Sequence, residues 1–244
     1  MNVSVIVTAF LEASRDYLDL CIESLKNSEL APKEVTIVSP ASYKPEYYGV
    51  KNLHPEGTDY PNAHALNLGA KAASKDSDYL LFCNDDVIFT RKCLGNLVAS
   101  SKSLSDFACV TPISNDQQRK YHLPVPYVSP HPYRIDQVRG HEKLLMGAES
   151  FYPQGVLFFE SLCLFAALIP KSVYLAVGPF TEAWMDDTDW TKRAHGLGYV
   201  NVIDMSALCW HAGGATADIT LGSLDSEKRK QLAKEYNEKK DSHV

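Results

Sequence analysis

Three clusters of side chains have the types and spacing of working chemistry. Asn84-Asp85-Asp86 closes an apolar run, Tyr79 to Cys83. Two adjacent carboxylates at the end of a buried strand are costly without a counter-charge. A hard divalent cation that bridges substrate phosphates would supply one. Asn and Asp are equally at home in a plain turn, so this motif alone leaves both readings open. Asp186-Asp187-Thr188-Asp189 follows Trp184 and opens a predicted helix. One of these carboxylates is expected to serve the helix N-terminus. Another, held near a metal-bound substrate and shielded from water by Trp184, would suit a general base. Trp210-His211-Ala212-Gly213-Gly214 ends a predicted strand with an imidazole, before glycines that allow close backbone approach. A lone His is more often structural, but a neutral imidazole also completes a carboxylate-rich metal shell.

These clusters need elements to position them. Val3 to Thr8 is a β-branched run of the kind buried on both faces of a sheet. Leu18, Cys21, Ile22 and Leu25 then fall on one helical face. Val35 to Val38 is a second strand, ended by Ser39-Pro40, and Asn62 to Ala73 a helix with a close-packing face of Ala65, Leu66, Leu68, Gly69 and Ala73. A third strand covers Tyr79 to Cys83, a helix Arg91 to Ser101, and a fourth strand Phe107 to Pro112. Alternation of strand and helix predicts an α/β fold: one Rossmann-like domain with a mostly parallel central sheet flanked by helices. Ligands of such sheets bind outside the carboxyl ends of the strands. Thr8-Ala9-Phe10, Ser39-Pro40 and Asn84-Asp85-Asp86 all fall there.

The rest of the chain is less regular. Residues 116 to 155 interleave prolines with Tyr121, Tyr127, Tyr133 and Tyr152 and read as a long functional loop, a candidate acceptor site or lid. Val156 to Ile169 reads as strand-rich, Phe180 to Asp189 as a loop running into a helix through Arg193, and Tyr199 to Ile203 and Ala207 to Trp210 as two short strands. The expected organisation is one domain over 1–220, with a donor-binding half (1–112) and an acceptor and catalytic half (113–220). A charged helical tail follows over 221–244.

A net charge of −6 disfavours a nucleic-acid partner. No run approaches the roughly 18 apolar residues of a membrane span. The N-terminus lacks the basic flank and cleavage pattern of a signal peptide. The six cysteines show no CxxC pair and sit mostly in apolar runs. They read as reduced thiols, and the expected compartment is cytoplasmic.

Taken in order, the fragments resemble the inverting glycosyltransferases of family two, which have the GT-A fold. The resemblance covers residues 1 to about 216: Val5-Ile6-Val7-Thr8-Ala9-Phe10, the helix Tyr17 to Leu25, Asn67-Leu68-Gly69, Tyr79 through Asp86, Val177-Gly178-Pro179-Phe180, Asp186 to Asp189, Arg193, Gly198 and Trp210-His211. It implies that Asp86 and His211 hold a divalent ion, Mn2+ or Mg2+. It places Asn84 and Asp85 beside the donor ribose and diphosphate, with Asn67 also on the donor side. Thr8, Ala9 and Phe10 would touch the nucleobase, on which Phe10 could stack. Asp187 would be the catalytic base, with Asp186 and Trp184 toward the acceptor. The implied partners are a nucleotide-sugar donor, UDP-sugars first, and a glycan or other hydroxyl-bearing acceptor. Two departures stand out: Ser39 replaces the usual base-reading Asp, and the metal motif reads Asn-Asp-Asp.

Three other functions share some of these features. A nucleotidyltransferase making nucleotide sugars would carry a Gly-rich basic loop after Thr8, which is absent here. A metal-dependent phosphoesterase would need more His ligands, and His64, His122, His131, His141 and His195 lack a ligand spacing. A non-catalytic nucleotide-sugar-binding module is suggested only by Ser39 and Asn84.

Overall fold

A computed structural model of the chain describes residues 1–10, 12–55, 62–114, 154–181 and 186–212. The β-branched run at the N-terminus forms β1 (Val3–Thr8), buried at every position. It pairs in parallel with β2 (Glu34–Val38) and β4 (Tyr79–Asn84), and β2 pairs in parallel with the short β3 (Lys51–Leu53). Between these strands run α1 (Arg15–Lys26), entered by a 3₁₀ turn at Glu12–Ser14, and α2 (Asn62–Ala72). In this part the sheet is parallel, as expected.

Beyond β4 the sheet becomes mixed. A tight turn at Asp85-Asp86 leads into β5 (Val87–Phe89), followed by α3 (Cys93–Ser103) and β6 (Phe107–Ser114). The apolar run after residue 155 is two strands, β7 (Val156–Phe159) and β8 (Ala166–Pro170), with an irregular connection between them. Two helices follow, α4 (Lys171–Val177) and α5 (Asp186–Gly196). The chain then enters β9 (Val200–His211). The strand order is β3-β2-β1-β4-β8-β6-β9-β5, with β7 also paired to β9. β8 runs antiparallel to β4, and β5 antiparallel to β9.

The two short strands expected near the end are one strand of 12 residues. Its polar middle, Asp204-Met205-Ser206, reads as a break in the sequence. The Asp204 carboxylate accepts from the Ser206 N–H (2.8 Å), the Ser206 Oγ (2.7 Å) and Ser100 Oγ (2.6 Å). Those bonds satisfy an irregularity where the β6 register shifts, between Pro112 and Ile113, and the strand continues.

Side-chain alternation divides the core. Ile6, Leu80 and Phe82 pack with α2, α4 and α5, whereas Val5, Val7, Leu81 and Cys83 pack with α1 and α3. Gly69 lets α2 lie directly on β1: a Cβ there would stand 2.3 Å from Ile6 Cγ2. All six cysteines are unbridged, five of them buried and Cys163 half-buried. No described helix is long and apolar enough to cross a membrane. Most of 116–155, the charged tail, Gly213-Gly214 and Trp184 lie outside the described residues, and so does the side chain of Asp186.

Candidate active site

Register places the first polar groups. Thr8 ends β1 opposite Val38 on one side and Asn84 on the other, so the loops after β1, β2 and β4 leave the sheet at one level. Ala9 N–H donates to the Val38 carbonyl (3.0 Å), holding the first loop against the second. Thr8 and Ala9 are buried and Phe10 is half-buried against the core.

The two carboxylates of Asn84-Asp85-Asp86 part company. Asp85 is buried, and Ser14 Oγ donates to its Oδ2 at 2.6 Å. Ser14 sits at the N-cap of α1 but makes no side-chain cap bond; its hydroxyl ties the start of α1 to the turn after β4 instead. Burial and then repulsion from Asp86 push the Asp85 carboxyl up to about 7, against the opposing pull of Ser14, its own backbone N–H and His211. Asp85 is expected to make metal-free protein less stable as pH rises from about 4, where an unfolded Asp ionises, to about 7. In that window the folded state binds the extra proton, so its stabilising share is complete below the unfolded pKa and lost as pH rises through the folded one. Asp85→Asn should flatten this slope. Urea midpoints in chelator across that range would test it, and an unchanged slope would assign the pH dependence elsewhere.

Asp86 is turned toward β9. Its backbone carbonyl accepts from Ala212 N–H at 3.1 Å, and Val87 pairs with His211 across β5 and β9. His211 Nε2 thereby lies 3.3 Å from Asp86 Oδ1, with both side chains buried. A hard carboxylate beside an imidazole nitrogen suits Mn2+ or Mg2+. No group of three or more metal-ligating side chains occurs among the described residues. An ion held by this pair alone would need its other positions filled by water and substrate oxygens, the usual habit of Mg2+ with phosphates.

Asp187 opens α5. Its Oδ2 accepts from Leu164 N–H at 2.7 Å, and its Oδ1 accepts from Thr188 N–H at 2.6 Å. Thr188 Oγ1 also donates to Oδ1, at 3.3 Å. The structural member of the acidic cluster is Asp189, which takes Arg193 Nε at 3.0 Å and Thr181 Oγ1 at 2.9 Å.

Sequence reasoning missed the connection between β7 and β8. Asn201 Nδ2 donates to the Glu160 carbonyl (2.9 Å), and Leu162 N–H donates to Thr191 Oγ1 (3.1 Å). Leu164 then holds Asp187, and the neighbouring Phe165 ring stacks on His211, with centroids 4.6 Å apart and planes 16° apart. The base candidate and the metal-pair candidate are thus joined through consecutive residues. Leu164 and Phe165 carry no signal in the sequence beyond an apolar run, and a backbone N–H carries none at all.

Two expected donor-side residues are engaged within the protein. Asn67 accepts from Phe180 N–H (2.9 Å) and Tyr174 Oη (2.8 Å), and its Nδ2 donates to the Phe180 carbonyl (2.8 Å). With Trp190 Nε1 on the Gly178 carbonyl (2.9 Å) and Arg193 on the carbonyls of Val177 and Pro179, it clamps the 177–180 loop between α2 and α5. Gly178 accepts its place in that loop with φ of 89°, a conformation favouring glycine. Ser39 is fully buried and its Oγ donates to the Tyr43 carbonyl at 2.8 Å.

The family model described as "Glycosyl transferase family 2" matches residues 4–158. Solved structures of similar fold include the mannosyltransferase PcManGT from Pyrobaculum calidifontis in complex with GDP-Man and Mn2+. It is 17% identical with a TM-score of 0.58, over 86% of this chain and 56% of that one. GalNAc-T7 with UDP, GalNAc and Mn2+ is 10% identical with a TM-score of 0.60, over 86% of this chain and 43% of that one. S. aureus TarS 1-349 is 14% identical with a TM-score of 0.56, over 95% of this chain and 69% of that one. The chain spans about half the length of the first two. No curated protein matches it in sequence.

Proposed function

The chain belongs to glycosyl transferase family 2 and has the GT-A fold, and from that premise we propose that it moves a sugar from a nucleoside-diphosphate sugar to an acceptor hydroxyl with inversion. The observation that carries this reading is the joining of the Asp86–His211 pair to Asp187 through Leu164 and Phe165. Asp86 and His211 would hold Mn2+ or Mg2+. Once bound, such an ion supplies charge stabilisation for a diphosphate leaving group.

The chain's own residues do the rest. The loop Thr8-Ala9-Phe10 and the ends of β2 and β4 take the nucleotide, with Asn84 toward the ribose and diphosphate. Asp187 accepts the proton of the acceptor hydroxyl as that oxygen bonds to the anomeric carbon. The bond from that carbon to the diphosphate breaks on the opposite face, so a single displacement inverts the configuration. A base placed in this way contributes about 10²–10⁴-fold. Asp186 and Trp184 are proposed to face the acceptor.

UDP-sugars are the first donors to test. The hydroxyl of Ser39 is turned into its own loop, and a carboxylate reader is absent there. Thermal melts with UDP-, GDP-, dTDP- and CMP-sugars, each with and without Mn2+, should show stabilisation by one nucleotide class that needs the metal. A ligand at 100 times its Kd would add about 2.7 kcal/mol. If no nucleotide raised the melting temperature, the donor reading would fall. Stabilisation with no transfer to any acceptor would favour a non-catalytic binding module.

A further inference from the structure

The connection Glu160–Phe165 is pinned more densely than a plain crossover between strands requires. Asn201 and Thr191 hold its beginning from β9 and α5. Cys163 Sγ lies 3.6 Å from Thr188 Oγ1, on the helix that carries Asp187. At its end the Phe165 carbonyl accepts from Asn84 N–H at 2.9 Å, which extends the β4–β8 ladder by one bond into the metal motif. The main chain of Phe165 is therefore fixed by Asn84 while its ring covers the face of His211.

That ring has a specific physical consequence. An imidazole at a strand end has two soft side-chain torsions, and only some settings aim Nε2 at Asp86. A phenyl ring with its centroid 4.6 Å away and its plane nearly parallel excludes the settings that would turn the imidazole edge into it. Offset-stacked rings also attract beyond their burial. Phe165 is 5% exposed, so the ring itself has little freedom to move aside.

We propose that Phe165 is a positioning residue for His211, and that the segment Glu160–Phe165 sets the spacing between the metal-holding pair and the base. This rests on the proposed function for the roles of Asp187 and His211. The specificity of the effect lies in the flat ring. An aliphatic side chain of similar bulk would fill the space and leave the Asn84 and Leu164 backbone bonds in place, yet it would let the imidazole rotate.

The test compares Phe165→Leu and Phe165→Tyr with the parent chain. The first readout is Mn2+ binding in the presence of UDP or GDP, followed from the free-ion paramagnetic resonance signal. The second is the NMR shift of the His211 ring protons in metal-free protein. Phe165→Leu should bind Mn2+ about 10–100-fold more weakly, the scale of losing a partner that orients a metal ligand. Its His211 signals should move downfield and broaden as ring-current shielding and orientation are lost. Phe165→Tyr should retain both properties. Parental Mn2+ affinity and His211 signals as sharp as the parent's in Phe165→Leu would overturn the proposal. Should Phe165→Leu fail to fold, Phe165→Met takes its place, with the same losses expected in both readouts and the same parental behaviour overturning the idea. If the parent chain bound no Mn2+ with either nucleotide, the proposed function would fail instead, and the broadening of the His211 signals would still decide the positioning role.

Discussion

Asp187→Asn is expected to lower kcat by about 10²–10⁴-fold while leaving donor and Mn2+ affinity close to the parent values. The geometry gives this expectation its particular form. Both Asp187 oxygens accept backbone N–H groups, from Leu164 and Thr188. An Asn can satisfy only one of them, because its amide nitrogen is itself a donor. The variant should therefore lose some helix stability along with its base. Asp187→Glu supplies the control, since it keeps a carboxylate but moves it by one methylene. A low but measurable rate in Glu, with none in Asn, would tie turnover to a placed base. Single-turnover rates with a saturating donor separate that effect from binding. Normal turnover in Asp187→Asn would remove the assignment.

Removing the metal pair should act on a different step. Asp86→Asn and His211→Ala are each expected to reduce kcat/KM by about 10²–10³-fold, the range seen when one electrostatic stabiliser of developing charge is removed. Chelation should do the same to the parent chain, with recovery on adding Mn2+ or Mg2+. The two variants should be far from additive, because each ligand depends on the other to hold one ion. With only two protein ligands proposed, metal affinity should rise sharply when a nucleoside diphosphate is present, and nucleotide affinity should rise by the same factor when the metal is present. Isothermal titration of each component with and without the other measures both arms. Additive losses, or nucleotide affinity indifferent to metal, would separate Asp86 and His211 into unrelated roles.

The division of labour between Asp85 and Asp86 bears on how such a site is read. As adjacent residues after a strand they look equivalent. The turn between β4 and β5 sends Asp85 toward α1, where Ser14 meets it, and Asp86 toward β9, where His211 meets it. Asp85 ties the start of α1 to the end of β4 through Ser14, and would support the proposed donor site in that way. Asn67 and Arg193 fall in the same class: both build the clamp that seats α5, and with it Asp187, against the sheet.

Local pattern suffices for the first half of the fold. Buried parallel strands must be apolar along their length, and amphipathic helices must repeat their apolar face, so β1, β2, β4, α1, α2 and α3 are legible in the residues themselves. The polar groups at the carboxyl ends of β1, β2 and β4 are legible for the same reason, since strand ends are where the apolar run stops. Short strands are not: β3 and β5 have three residues each, too few to show a period. The continuity of β9 depends on Asp204, whose bonds to Ser100 and Ser206 come from the folded chain. The inner geometry of the site belongs to the folded chain as well. His211 reaches Asp86 because β9 returns antiparallel to β5, a pairing that no local pattern encodes. The Leu164 amide reaches Asp187, and the Phe165 ring reaches His211, because the connection after β7 passes between α5 and the end of β4. A backbone N–H and an apolar ring look the same in sequence whether they line a core or hold a site, so their roles follow from what the fold sets beside them.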